Sequence, residues 1–426
     1  MSDHWLYGWG AGYAAVGAAS LLIPLYAISL GADAFHVGLM ASTAAFAGVP
    51  GALLWGRLAA RTKRRRPFVL VALGATAGVL AITPFLASPW TLLLANAALW
   101  FVVSAAAPVL NLIVVEGAPE AEWDTRIGRL NAVQGYGWVA GLVAGTIWTA
   151  AAPRVFDPVA AQELLFFLLA VSTTGALVLV RVRYPERPTT DPDRFRRVFV
   201  GLDRSNWGAG RYLRSVPYGP GRLYWTLTGL IRRRRTGHSP FERFGPNLGR
   251  YLVAAALFSV GFSVFWGPMP AYLTDVGFTT GLVFVLFLFS NVGSAVCYQP
   301  VGRLVSRSTP KRVQATALGL RAVLFPAVAV AGLLVTAGLL YALSPAFLLI
   351  GATWAAIAVT ATGIVTRLAP QAVRGEALGV YTAVAGFGTG VGSALGGAVA
   401  AAAGYGVAFA GAGVVVAAGL VLVIRS

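Results

Sequence analysis

Apolar residues run through this chain in blocks of about 20, each bounded by charged residues or by Pro and Gly, and about 20 residues of helix is what a hydrocarbon core requires. Twelve such blocks stand out, at 8–30, 35–56, 68–87, 89–115, 128–151, 163–182, 250–273, 279–302, 313–337, 344–366, 375–402 and 404–424. Ala and Gly dominate them, and small residues let helix backbones approach closely where lipid supplies no hydrophobic drive for association. Segments of about ten residues with alternating polarity, the mark of a β-barrel, do not occur. The pattern predicts an all-α membrane protein with twelve transmembrane helices.

Composition agrees, with 57% hydrophobic and 11% charged residues in 426. The net charge of +18 raises the question of a nucleic-acid partner, and the placement of the charges argues against one. Of 33 Lys and Arg, 30 stand in or at the edges of the connections after spans 2, 4, 6, 8 and 10. That distribution predicts a multi-pass cell-membrane protein with both termini cytoplasmic. The single cysteine, Cys297, lies in an apolar span and offers no disulfide. The first span lacks a basic segment before it and reads as a span, not as a cleaved signal.

The chain also repeats itself. An offset of 246 residues lays Pro24, Tyr26 and Gly31 on Pro270, Tyr272 and Gly277, and Gly56-Arg57-Leu58 on Gly302-Arg303-Leu304. Beyond that the offset becomes 251, where Gly137, Gly141 and Gly145 meet Gly388, Gly392 and Gly396. Six spans per repeat is an even number, so both halves keep one orientation, as two pseudo-symmetric six-helix bundles. The expected domains are 1–183, a basic cytoplasmic loop at 184–248, and 249–426. The loop holds 13 Lys/Arg against five acids, and Phe195, Val198, Phe199 and Leu202, then Leu223, Leu227, Leu230 and Ile231, recur at helical spacing. Both stretches read as amphipathic helices on an anionic inner leaflet, with a solvated tether as the alternative.

Gly56, Arg61, Arg65 and Arg66, with Gly302, Arg307 and Arg312 in the second copy, resemble the signature Gly-x-x-x-Asp-Arg-x-Gly-Arg-Arg of the major facilitator superfamily. Ala60 and Ser306 stand where that signature has its acid, and Lys63 where it has its second Gly. The resemblance covers the chain apart from 184–248 and implies a secondary transporter working by alternating access. It also implies a cytoplasmic gate, in which Arg57 or Arg61 meets Glu376 while Arg303 or Arg307 meets Glu120, Glu122 and Asp124. The glycine-rich spans 5 and 11 are similar to the close-packing helices of the family's efflux branches.

No motif points to enzymatic catalysis, a metal or a cofactor. His4, His36 and His238 are scattered, and Gly386, Gly388, Gly390 and Gly392 lie in a span with no preceding strand, which suits helix packing and not a phosphate loop. Only Arg321 is charged well inside a span, about 12 Å from its predicted cytoplasmic end, where it either faces a cavity as an anion site or snorkels to the headgroups. The acids Asp33, Glu116 and Asp275 fall near span ends, so transport is expected not to depend on a deeply buried carboxylate. Candidates for lining a substrate cavity are Tyr26, Asn96, Asn111, Asn131, Gln134, Tyr136, Trp266, Tyr272, Asn291, Gln299, Arg321 and Tyr381. Asn and Gln avoid lipid and aromatic rings offer broad apolar contact, though each alone also fits helix packing. Export of small amphipathic or hydrophobic molecules by a monomer is the first expectation. An uptake carrier or exchanger for an anionic metabolite, resting on Arg321, is the second. A non-transporting receptor or lipid-handling protein on the same fold is the third.

Overall fold

The computed structural model describes residues 4–61, 66–115, 119–184, 244–334 and 338–426. All twelve spans are present as helices: α1 (Trp5–Ser29), α2 (Ala34–Arg61), α3 (Arg66–Ile82), α4 (Pro89–Val115), α5 (Glu120–Ala151), α6 (Pro158–Arg183), α7 (Pro246–Trp266), α8 (Thr280–Arg307), α9 (Pro310–Leu334), α10 (Leu339–Leu368), α11 (Arg374–Ala403) and α12 (Tyr405–Arg425). No strand occurs among the described residues. The amphipathic stretches of the central loop lie outside the described residues.

Several boundaries differ from the hydropathy reading, and at two of them the local cause is visible. Span 6 starts at Pro158, five residues early, because Asp157 caps the helix by accepting from the Val159 N–H at 3.1 Å, and Pro158 fits its first turn. Span 7 is not one helix. Pro268 and Pro270 remove two amide donors in succession, so α7 stops at Trp266 and a separate turn of helix resumes at Met269–Asp275. The repeat-related α1 holds one proline, Pro24, and stays continuous.

Contacts group the chain into two compact units, Met1–Gly31 with Phe46–Tyr224, and Ala32–Ala45 with Trp225–Ser426. The first turns of α2 therefore group with the second unit. The reason is local: a Cβ on Gly38 would lie 2.6 Å from the Gly397 Cα, so only two glycines allow that approach. Inside each unit the same pairs of helices touch: α1 packs on α5 and α6 as α7 packs on α11 and α12, and α3 packs on α4 and α6 as α9 packs on α10 and α12.

The glycines set these pairings. A Cβ on Gly141 would run into the Ala14 backbone, and one on Gly17 would sit 2.6 Å from the Trp138 carbonyl oxygen, so α1 and α5 meet backbone to backbone. Gly392 and Gly396 do the same for α11 against Val260 and Val264 of α7.

The repeat extends to single backbone angles. Gly31 and Gly277 close spans 1 and 7 with φ of 88° and 96° and have open space where a Cβ would go. The constraint there is conformational, since an L side chain resists positive φ. Gly277→Ala is expected to lower stability by about 1 kcal/mol, read as a lower thermal midpoint in detergent, with Gly31→Ala matching it. Equal midpoints for wild type and both variants would show that the turns relax.

Candidate functional site

The second unit buries a cation. Arg321, the twelfth residue of α9, is 1% exposed. Its Nε donates to Thr353 Oγ1 at 2.8 Å and its Nη2 to the Ile350 carbonyl at 2.9 Å, both on α10. Thr353 can accept because its own hydroxyl donates to the same Ile350 carbonyl at 2.7 Å. The guanidinium lies over the Phe262 ring at 4.2 Å, with Trp354 at 5.6 Å and Phe325 at 5.8 Å. Nη1 is buried and has no hydrogen-bond partner among the described residues. Arg321 therefore does not snorkel: it is pinned across the bundle in an aromatic cage, with one donor edge left over.

More rings surround this place. Phe325 stacks on Phe265 at 4.0 Å and 8°, Phe262 meets Phe258 at 5.4 Å, and Trp266 meets Phe287 and Phe347 edge-on at 5.3 and 5.7 Å. These contacts join residues of α7, α8, α9 and α10, far apart in sequence. Phe262, Thr353 and Trp354 escaped the sequence reading, because nothing along the chain marks a residue whose role is to face another helix.

Several candidate cavity residues prove to be engaged within their own unit. The Tyr26 hydroxyl lies 3.1 Å from both the Pro84 carbonyl oxygen and Glu163 Oε1. Its repeat mate Tyr272 donates to the Val328 carbonyl at 2.7 Å, so the two tyrosines tie spans 1 and 7 to spans 3 and 9 in parallel fashion. Glu163 was also missed as a partner, since the late start drawn for span 6 left it at the boundary. Tyr381 stacks on Tyr251 at 6.4 Å, whose hydroxyl donates to Gln314 Oε1 at 3.0 Å, with Gln314 fully buried. Asn291 spends its amide on the Phe287 carbonyl of its own helix at 2.9 Å.

Among the rest, Asn96 is buried, and Asn111, Asn131, Gln134 and Trp266 are half-buried. Tyr136, 77% exposed, and Gln299 stand open.

The expected gate residues are described in part. Arg66 reaches the Arg181 carbonyl, and Glu122 is held by Arg126 one turn on at 3.0 Å. Gly302 is half-buried, and Arg303, Arg307 and Arg312 are exposed. The side chains of Gly56, Arg57, Arg61, Glu120, Asp124 and Glu376, and all of Arg65, lie outside the described set.

Two acids at the other ends of the spans have local duties. Asp275 accepts from the Tyr405 hydroxyl at 2.5 Å, joining the end of span 7 to the start of α12. Asp33 accepts from the His36 backbone N–H at 3.0 Å and lies 2.6 Å from His36 Nδ1. Partial burial pushes the Asp33 carboxyl up, but the bonds and charge of His36 outweigh it and hold the group below its ordinary value.

Two repeated six-helix sets, packed through small residues and threaded by few buried charges, define a polytopic helical membrane protein of the solute-carrier kind. The Major Facilitator Superfamily model matches residues 8–382 and again 251–426, and the chain belongs to that family of transporters. Solved structures share the fold at low identity. The nucleoside transporter NupG superposes with a TM-score of 0.66 at 12% identity over 100% of this chain and 98% of that one. A point mutant of NupG gives 0.68 at 13% over 99% and 98%. The human organic anion transporter MFSD10 (TETRAN) gives 0.55 at 14% over 99% and 100%. No curated protein matches the sequence.

Proposed function

We propose that this transporter carries a small amphipathic organic solute, an apolar or aromatic body bearing an anionic group, and moves it outward by alternating access. The observation that carries this reading is the unfilled Nη1 of Arg321 inside a cage of rings. A buried guanidinium with an open donor edge is matched by a carboxylate or similar oxyanion, and the surrounding rings suit the solute's apolar part. Trp354, half-buried beside the guanidinium, is the side chain whose rotation would admit the ligand. Among the solved relatives, the named cargo of MFSD10 is closer to this chemistry than that of NupG. The outward direction rests on the glycine-packed α5 and α11.

The membrane orientation belongs to the same proposal: both termini and the central loop face the cytoplasm, because the Lys and Arg cluster there. So does the cytoplasmic gate, where Arg57 or Arg61 with Glu376, and Arg303 or Arg307 with the acids at the start of α5, bias the two open states. Each such wet pair is worth at most about 1 kcal/mol. The competing cargo is a neutral planar solute, for which Arg321 would be only a packing element.

Counterflow into proteoliposomes separates the two. Benzoate-type aryl carboxylates are expected to exchange at least about tenfold faster than their uncharged amides or than uridine, because an amide carbonyl can accept from the guanidinium but does not neutralise its charge. The exchange should persist when the pH gradient is collapsed. Preference for uridine or the amides, or strict dependence on the pH gradient, would overturn the proposal.

A further inference from the structure

The start of α9 and the ends of α10 and α12 border an open cavity of about 430 Å³. Lys311, Arg312 and Arg367 line it together with the apolar Ile364, Leu368 and Ile424. No carboxylate lines it, and among the described residues none of the three cationic side chains has an ion-pair partner. Ile424 is 65% exposed, an apolar wall facing outward at the end of a span. One helix N-terminus, that of α9, and two C-termini, those of α10 and α12, meet here, so the helix dipoles leave a small net negative contribution against three full positive side-chain charges.

The internal repeat shows how unusual this charge is. The 246-residue offset lays Lys311 and Arg312 on Arg65 and Arg66, and the 251-residue offset lays Arg367 on Glu116. The first half thus sets two cations beside an acid at the corresponding sequence positions, whereas the second half replaces that acid with a third cation. Three cations at the end of three spans, with no acid among the residues lining the site and with Arg312 and Arg367 exposed, offer an anion from outside the chain a set of positive partners. Exposed or half-buried apolar side chains beside them, at the ends of apolar spans, suit an anion that carries a hydrocarbon tail.

We propose that this cavity is a binding site for an anionic phospholipid, its phosphate held by Lys311, Arg312 and Arg367 and its upper acyl chain lying on Leu368 and Ile424. The site shares no residue with the Arg321 cage. It does not depend on what the protein transports. The size fits one headgroup with its glycerol, and three cations lining one cavity favour anionic over zwitterionic lipid.

Native mass spectrometry of the full chain, delipidated and then titrated with dioleoyl phosphatidylglycerol or dioleoyl phosphatidylcholine, tests this. Wild type should retain one phosphatidylglycerol with at least about tenfold preference over phosphatidylcholine, as expected from three surface cations. The triple variant Lys311→Gln, Arg312→Gln, Arg367→Gln should lose that preference. Removing three charges elsewhere, by Arg181→Gln, Arg183→Gln and Arg250→Gln, should leave it within about twofold. Should the first triple variant not fold, Arg367→Glu, which restores the charge arrangement of the first half, should fold normally and still lose the lipid. Inorganic phosphate alone should not displace it. Retention by Arg367→Glu, equal loss in the control triple variant, or displacement by phosphate without lipid would each overturn the assignment, the last in favour of a free phosphate site.

Discussion

Arg321→Met is expected to reduce transport of aryl carboxylates at least about a hundredfold while leaving the protein as stable as wild type or more so. The two halves of that result follow from one geometry. The guanidinium gains two hydrogen bonds from α10, at about 1.5–3 kcal/mol each for a charged donor, and a ring contact of about 2 kcal/mol at Phe262. Against this stands a desolvation cost of several kcal/mol for a charge 1% exposed, with one donor edge unsatisfied. These contributions nearly cancel, so a methionine of similar volume should cost little and removes the orphan donor. A group that contributes little to stability and still occupies the interior is best explained by a ligand. Thermal unfolding and counterflow on the same preparation decide it. A fall of more than about 5 °C in the midpoint, with transport lost in proportion to folded protein, would make Arg321 a structural element and remove the basis for an anionic cargo.

Gly392→Leu is expected to prevent stable assembly of the second unit, and even Gly392→Ala should cost about 1–3 kcal/mol. A Cβ at Gly392 would collide with the Val260 carbonyl and approach the Ser263 Cβ to 2.9 Å. Backbone atoms of a packed helix cannot step aside singly, so α11 and α7 must separate along their length, losing the contacts at Gly388 and Gly396 as well. Gly141 against Ala14 should behave alike in the first unit. Gly78, with open space where its Cβ would go, supplies the contrast: Gly78→Ala should be neutral or gain about 0.5–1 kcal/mol from helix propensity. Size-exclusion profiles and thermal midpoints of the three alanine variants are the measurement. Equal behaviour of Gly78→Ala and Gly392→Ala would show that the glycines do not set the helix approach.

Much of this architecture is legible along the chain. Twelve apolar runs, two matching offsets and a lopsided distribution of Arg and Lys determine a twelve-helix membrane protein with duplicated halves, because a bilayer admits few solutions to the problem of unpaired backbone groups. The repeat even anticipates backbone detail: Gly31 and Gly277 share positive φ, and Tyr26 and Tyr272 both cross to the third helix of their half. Hydropathy placed the start of α6 late because Pro158 to Gln162 read as a weakly apolar approach, while the capping by Asp157 that starts the helix is a local hydrogen bond.

What the tertiary structure alone decided is where the side chains go around each helix axis. The sequence marked Arg321 as the one deep charge and left it between a cavity and the headgroups, since a long flexible side chain reaches either from the same backbone position. Its direction is set by Ile350 and Thr353, 29 and 32 residues away, and by Phe262, 59 residues earlier. The cationic cavity at Lys311, Arg312 and Arg367 came to view in the same way, from three helix ends that adjoin only after packing. Composition and periodicity determine which solvent a segment prefers. Which neighbour it faces is a property of close packing between distant segments, and along the chain that contact leaves no local pattern to read.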